Sequence, residues 1–364
     1  MKIECEIEFF KKAVMQADKA TSKNAALPIL TTILFETGNN SITLKSTNLS
    51  LGVEITIPAI IHTKGAVAIP SQTILNSILG NISKGKIILE LIDNNISLTT
   101  KQNTSLIKTI PHNDFPIIPH IEGSSFTILA EKIINGIKNV SYSASVSDIK
   151  PEISSVYIYP DNEDIVFVST DTFRLAEKKI KAITPDFNGF LIPFKNINDL
   201  VRIFNEIEGE ISVLFNTNQI AFKGKGIYCT SRIIDGVFPD YHQIIPKKHE
   251  TQAIILKQDI IDALKVATVF SDKFNQITFT INPKDALFEV SSKNSDVGET
   301  NTSLIASLEG NSIITHINYR YLFDCFQSIT DDSISIEFSG ANKPIIIKGI
   351  NDHSFTYLIM PMNR

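Results

Sequence analysis

Apolar and polar positions along this chain repeat the same order of helical and strand periods three times. Ile7–Val14 (IEFFKKAV), Leu129–Ile137 (LAEKIINGI) and Leu256–Leu264 (LKQDIIDAL) each place apolar residues at the spacing of one helical face. A second helical pattern follows in each third: PSQTILNSIL from Pro70, PFKNINDLVRIF from Pro193 and NYRYLFDCF from Asn318. Each is followed by a pair of strand-like runs, GKIILELIDNNISLTT from Gly85, GEISVLFNTNQIAFKG from Gly209 and DSISIEFSGANKPIIIKG from Asp332. Pro70 and Pro193 stand 123 residues apart, Gly85 and Gly209 124, and Gly209 and Asp332 123. A unit of this length is a whole domain, well beyond a solenoid repeat of roughly 20–50 residues.

Between the helices, alternating runs predict half-buried strands. These are ILTTILFET, SITLKST and VEITIPAIIH in the first third, SSVYIYP and DIVFVSTD in the second, and ITFTINP, ALFEVSS and TSLIASL in the third. Pro-rich exits, FPIIPHIEG and FPDYHQIIPKKHE, set boundaries near Ile121–Ser125 and Lys247–Thr251. The predicted architecture is α+β, with three repeated domains at 1–122, 123–249 and 250–364, each of two helices packed on antiparallel sheets.

The first helix puts Phe10, Val14 and Ala17 on one face and Lys12, Gln16 and Lys19 on the other, with Lys23 beyond. Lys132, Lys138, Lys195, Arg202, Lys257, Lys265 and Arg320 occupy polar positions of other helices. Taken singly, each is an ordinary solvated face. Their recurrence at equivalent repeat positions predicts a shared basic surface that contacts phosphates without reading bases. The net charge is −5, which disfavours simple tight binding to open DNA but leaves room for a local basic stripe.

Enzyme signatures are sparse. The chain has no phosphate-loop or dinucleotide motif, and its seven histidines lack metal-ligand spacing, so no cofactor or metal is expected. Cys5, Cys229 and Cys325 are far apart and read as small buried apolar residues. Ser147-Asp148-Ile149-Lys150 matches SxxK but lacks the companion SDN and KTG motifs, leaving a hydrolase as a remote alternative. Asp171 reads as a strand exit, and Asp235 and Asp240 as turn caps around Phe238-Pro239. The apolar terminus YLIMPMNR is either tucked into a core or part of a binding groove. There is no signal-peptide pattern and no apolar run long enough to cross a membrane, which predicts a cytoplasmic protein.

Five stretches in order resemble the bacterial beta sliding clamp family, the processivity subunit of DNA polymerase III. They are LPIL at Leu27–Leu30, NDFP at Asn113–Pro116, TDTFRLA at Thr170–Ala176, IDGVFPDYHQIIP at Ile234–Pro246 and YLIMPM at Tyr357–Met362. The resemblance implies a head-to-tail ring of two chains around duplex DNA, with helices lining the hole. Lys12, Lys19, Lys23, Lys138, Lys195, Arg202, Lys265 and Arg320 would face the DNA. It implies as partners the replicative polymerase alpha subunit, an ATP-driven clamp loader, and other polymerases and repair proteins with QLxLF-like peptides. Such peptides would enter a pocket of Thr170, Thr172, Phe173, Arg174, Leu175, Pro239, Gln243, Ile244, Met360, Pro361 and Met362. Weaker local matches add Ile153, Phe274, Asn318 and Tyr321.

The chain departs from the family pattern in several places. Thr172 stands where a glycine is usual, which predicts a different turn, and Phe173 replaces a histidine. Gln243 replaces a common arginine, and MPMNR denies Arg364 the usual terminal arginine's role. Leu106, Ile107, Val269 and Phe270 are candidates for the contact between chains, or for ordinary core packing. A β-rich peptide-binding scaffold without DNA retention is the other reading.

Overall fold

The computed structural model describes residues 1–23, 26–79, 85–183, 187–205 and 207–362. Among the described residues six helices appear where the helical periods predict them: α1 (Ile7–Asp18), α2 (Ser71–Leu79), α3 (Ala130–Ser141), α4 (Phe194–Phe204), α5 (Lys257–Val269) and α6 (Tyr319–Phe326). Phe10, Val14 and Ala17 are fully buried, as their spacing requires. The strand pairs among the described residues are antiparallel.

The chain divides into two compact units, Met1–Ile134 with Lys195–Asp235, and Asn135–Phe194 with Gly236 onward. The first holds a five-stranded sheet in the order Ile60–Thr63, Lys2–Glu6, Lys86–Ile92, Asn95–Thr99, Thr104–Lys108. It also holds an eight-stranded sheet running from Ser124–Leu129 to Ala66–Pro70. In the middle of that sheet Ile227–Arg232 pairs with Leu51–Pro58, joining the second repeat to the first. Asn196, buried at the start of α4, secures this seam. Its amide donates to Ser231 Oγ at 2.9 Å and Ser50 O at 3.2 Å, and its carbonyl accepts from Ser50 Oγ at 2.7 Å.

The second unit repeats the device. Arg174–Lys181 pairs with Phe355–Ile359 in the middle of a nine-stranded sheet, joining the third repeat to the second. A four-stranded sheet runs Gly298–Leu304, Leu287–Asn294, Gln276–Asn282, Ile313–Asn318. In α3, Gly136 permits close packing on the strand Asp164–Thr170, since a Cβ there would stand 2.4 Å from the Phe167 ring.

Several predicted details differ. Gln16 is buried rather than solvated, so the Lys12–Gln16–Lys19 stripe is broken at its centre. The run ILTTILFET begins as a 3-10 turn, Pro28–Thr31, and becomes a strand only at Thr32. VEITIPAIIH divides after Pro58, which has no N–H to continue a ladder, and its two parts enter different sheets. The three cysteines are free and buried.

Candidate functional site

Thr170–Leu175 forms a tight turn between two strands of the second unit. Thr170 Oγ1 donates to Arg174 O at 2.7 Å and accepts from Thr172 N at 3.1 Å. Asp171 Oδ1 accepts from the backbone N–H groups of Phe173 and Arg174, each at 3.0 Å. These side-chain bonds close the turn locally. They also hold Thr172 at a φ of 78°, in the left-handed region that glycine favours. The turn expected to differ without its glycine is therefore left-handed all the same. Phe173 is thrust outward, 59% exposed. Leu175 is a correction: it is fully buried and faces the sheet core, so its side chain does not line a surface pocket.

Arg174 is pulled inward, its side chain only 12% exposed. Its Nε donates to Asp171 Oδ2 at 3.0 Å, Nη1 to Asp324 Oδ2, and Nη2 to Tyr142 O at 2.7 Å. Its guanidinium carbon lies 4.6 Å from the Tyr321 ring centroid, a cation–π contact. Burial opposes the charge, but Tyr357, Asp324 and Asp171 outweigh it and hold the pKa above the ordinary guanidinium value. Arg174 thus ties the turn to α6. Asp171 acts as a turn cap and ion-pair partner, in line with its reading as a strand exit.

The apolar terminus hangs on the same turn. Arg174 stands opposite Ile359 in the strand ladder, and Met360 N donates to Phe173 O at 2.8 Å. Met362 N donates to His316 O at 2.8 Å. Met360, Pro361 and Met362 are half-buried, so this end is neither free nor sunk into a core. Asn363 and Arg364 lie outside the described residues. Two residues from His316, Asn318 caps α6 by accepting from Arg320 N at 3.0 Å. Asn318 also pairs with Gln276, and Phe274, two residues before Gln276 in sequence, is exposed. Tyr321 O accepts from Tyr357 Oη at 3.0 Å. Ile153 is buried in the loop after α3.

A third segment presents Pro239, Gln243 and Ile244, all exposed, around the 3-10 turn Tyr241–Ile244. Gln243 is held by Asp240, its Nε2 donating to Oδ2 at 2.7 Å. Tyr241 is buried, donates its hydroxyl to Glu177, and lies 2.6 Å from the Tyr159 hydroxyl. Burial first, and then Glu177, drive the Tyr241 pKa well up. Burial also pushes Tyr159 to about 12. Asp324, Tyr142, Glu177 and Tyr241 were not candidates from sequence. The one local signal was Asp324, a lone acid in the otherwise aromatic and basic NYRYLFDCF.

In the first unit Lys12, Lys23, Lys195 and Arg202 are exposed and Lys19 is half-buried. Lys19 Nζ lies 3.6 Å from Asp18 and Arg202 Nη1 3.8 Å from Asp199. Burial raises the Asp199 pKa, while Arg202, Lys19 and Lys23 around it pull the other way. Of the predicted basic residues, Arg202 is the one in direct contact with Asp199. In the second unit Lys138, Lys265 and Arg320 are exposed, and Lys265 pairs with Asp262 at 2.8 Å.

Of the candidate inter-chain residues, Leu106 is 65% exposed on Thr104–Lys108, an edge strand. Ile107 is a correction: it is 4% exposed because neighbouring strand residues face opposite sides, and it belongs to the core. Val269 is exposed and Phe270 half-buried at the end of α5. The Phe270 ring lies against Gly298, at the start of the edge strand Gly298–Leu304. Ser147 and Lys150 sit on an exposed loop, where the backbone N–H of Ser147 is taken up by Ser145 Oγ at 3.2 Å.

Three family models match in succession: the N-terminal domain of the DNA polymerase III beta subunit over residues 1–119, the central domain over 127–240 and the C-terminal domain over 242–363. The beta sliding clamp of Staphylococcus epidermidis is 26% identical over 377 residues, covering 98% of this chain and 97% of that one. The beta sliding clamp of Staphylococcus aureus is 25% identical over 376 residues, with the same coverage. The DNA polymerase sliding clamp of Bacillus subtilis superposes with a TM-score of 0.94 at 21% identity, over 100% of this chain and 99% of that one. The DNA polymerase III beta subunit of Thermotoga maritima gives a TM-score of 0.95, also at 21% identity and with the same coverage. The two superpositions establish the fold, and the three domain models together span the chain: it belongs to the DNA polymerase III beta subunit family, the sliding clamps that act as non-catalytic processivity factors.

Proposed function

We propose that two copies of this chain close head to tail into a ring around duplex DNA and hold the replicative polymerase on its template. The whole-length match to three successive domains of one clamp family carries this reading. We take domains 1–122, 123–249 and 250–364 as the working units of that ring. Ring closure would join Thr104–Lys108 of one chain to Gly298–Leu304 of its partner. Each is a sheet edge with unpaired backbone groups, a ready template for strand addition. Leu106, Val269 and Phe270 would supply the apolar part of that contact.

Retention by a ring is topological, so strong ionic attraction is unnecessary. The chain can carry a net charge of −5 while Lys12, Lys19, Lys23, Lys138, Lys195, Arg202, Lys265 and Arg320 meet phosphates. The acids beside several of them, such as Asp18, Asp199 and Asp262, weaken individual contacts and favour sliding.

The surface of Phe173, Thr172, Arg174, Phe274, Asn318, Tyr321 and the Met360–Met362 run, with Pro239, Gln243 and Ile244, is the docking site for short QLxLF-like peptides. Ile153 and Leu175 would support it from beneath. A Leu or Phe anchor contributes roughly 1.5–3 kcal/mol on burial, which suits partners that exchange. The partners would be the polymerase alpha subunit, an ATP-driven clamp loader, and other polymerases and repair proteins, all in the cytoplasm. Among the described residues no helix is long and apolar enough to cross a membrane. Sedimentation equilibrium at micromolar concentration tests the assembly. Twice the chain mass is expected, and a strictly monomeric protein would contradict the ring.

A further inference from the structure

We propose that Glu177 and Tyr241 are positioning residues for partner-peptide affinity, their buried hydrogen bond fixing the turn that carries Gln243 and Ile244 relative to the Thr170–Arg174 turn. The inference rests on the peptide-site reading above.

The segment from Phe238 to Ile244 has little regular structure of its own, one 3-10 turn. It is fastened to the sheet by aromatic rings and one carboxylate. Phe238 stacks on Tyr157 with centroids 5.1 Å apart, and Tyr157 in turn stacks on Tyr159 at 4.9 Å. Tyr241 meets Phe238 edge-on at 6.1 Å. Stacked rings hold a segment down but tolerate sliding, because their attraction varies slowly with lateral offset. A hydrogen bond to a charged acceptor does not tolerate it, since the interaction falls steeply with distance and angle. The Tyr241 hydroxyl supplies that directional contact to Glu177, and the Tyr159 hydroxyl, 2.6 Å from it, completes the network.

Glu177 is 6% exposed, where a carboxylate is costly unless it is hydrogen-bonded. Lys179 is too distant for a direct hydrogen bond, with Nζ 3.9 Å from Glu177 and 3.7 Å from Asp161. The carboxylate is therefore held chiefly by Tyr241. Glu177 lies on the same strand as Arg174, three residues on, or about 10 Å at the rise of an extended strand. That strand thus acts as a spacer, with the Phe173–Arg174 turn at its start and the Gln243–Ile244 turn pinned to its middle. A peptide whose anchors must meet both turns at once depends on that spacing.

The test is calorimetric titration of the full chain with an acetylated QLALF pentapeptide. Tyr241→Phe keeps every ring contact and removes only the hydroxyl, and it should weaken binding about three- to tenfold. Glu177→Gln keeps an acceptor oxygen but removes its charge, and should lose less affinity than Tyr241→Phe. In an Ile244→Ala background, which already lacks one of the contacts being positioned, adding Tyr241→Phe should cost less than it does in the wild type. Wild-type affinity in Tyr241→Phe overturns the proposal while leaving the peptide site intact. So does an equal loss with and without Ile244, which would mean general loosening. A wild-type chain that binds no peptide overturns the peptide-site reading itself. Should Tyr241→Phe fail to fold, Tyr159→Phe takes its place: weakened binding supports the network, and unchanged binding overturns it.

Discussion

The side-chain amide of Gln16 donates to the carbonyl oxygen of Ile203 at 3.0 Å, across 187 positions of sequence. Ile203 is the second-last residue of α4, so its carbonyl has no partner within the helix. Gln16 supplies one from α1 and binds the first repeat to the second. Gln16→Ala should lower unfolding stability by about 1–3 kcal/mol, because it leaves a buried acceptor unpaired. Denaturant unfolding checks this, and a variant as stable as the wild type would show that the bond contributes nothing.

Thr172 sits at a φ of 78° that its β-branched side chain resists. Thr172→Gly should raise stability by about 1 kcal/mol by removing the left-handed penalty, which exceeds the added freedom of the unfolded chain. The thermal midpoint should rise with the turn unchanged. A fall would mean that the Thr172 side chain makes a compensating contact.

Leu106 and Ile107 are neighbours on one strand, the first exposed and the second buried. Leu106→Asp should leave the fold intact and give a monomer in sedimentation, because it charges an exposed position of the proposed contact. Ile107→Ala should instead cost about 2–5 kcal/mol of fold stability as a core cavity. The reverse pattern, a stable monomer from Ile107→Ala and an unaffected dimer from Leu106→Asp, would refute the assignment.

Acid should weaken the second unit at one identifiable place. Asp331 Oδ2 accepts from Asn351 N at 2.6 Å and Asp352 N at 3.0 Å, and these amides hold its carboxyl below the ordinary 3.8. Burial works against the Asp352 charge, but Ser354 and Lys178, the latter at 2.9 Å, prevail and lower its pKa too. A depressed folded pKa stabilises above the unfolded value and is lost as pH falls through the folded one. The stability gap between wild type and Asp331→Asn or Asp352→Asn should be constant from about pH 6 to 8 and close below about pH 4. A gap that persists in acid would exclude these carboxylates as its source.

The helices and most strands were legible because each buries one face and so carries its period in the sequence. Phe10, Val14 and Ala17 mark α1 without any knowledge of what covers them. Gln16 misled because a polar residue on that period reads as solvent-facing, and only α4 turns it into a cap. The strand pairs that join the repeats, Ile227–Arg232 with Leu51–Pro58 and Arg174–Lys181 with Phe355–Ile359, bring together segments about 175 residues apart. No local pattern encodes that choice. At the candidate site, TDTFRLA and the methionine-rich end could be read as motifs. Which side chains face outward could not, since Leu175 and Ile107 differ from their neighbours only by the alternation of a strand. Glu177 was hidden for another reason: a buried acid declares itself only through the Tyr241 that meets it.

A ring holds DNA by topology, so retention on circular DNA is the direct test of ring closure. The protein is loaded by a clamp loader and ATP onto a nicked circular duplex, and the complex is passed through a sizing column in moderate salt. A closed ring should co-elute with the circle and be released when one restriction cut linearises the DNA. Loss from the intact circle, or equal retention on the cut duplex with free ends, would contradict the closed ring.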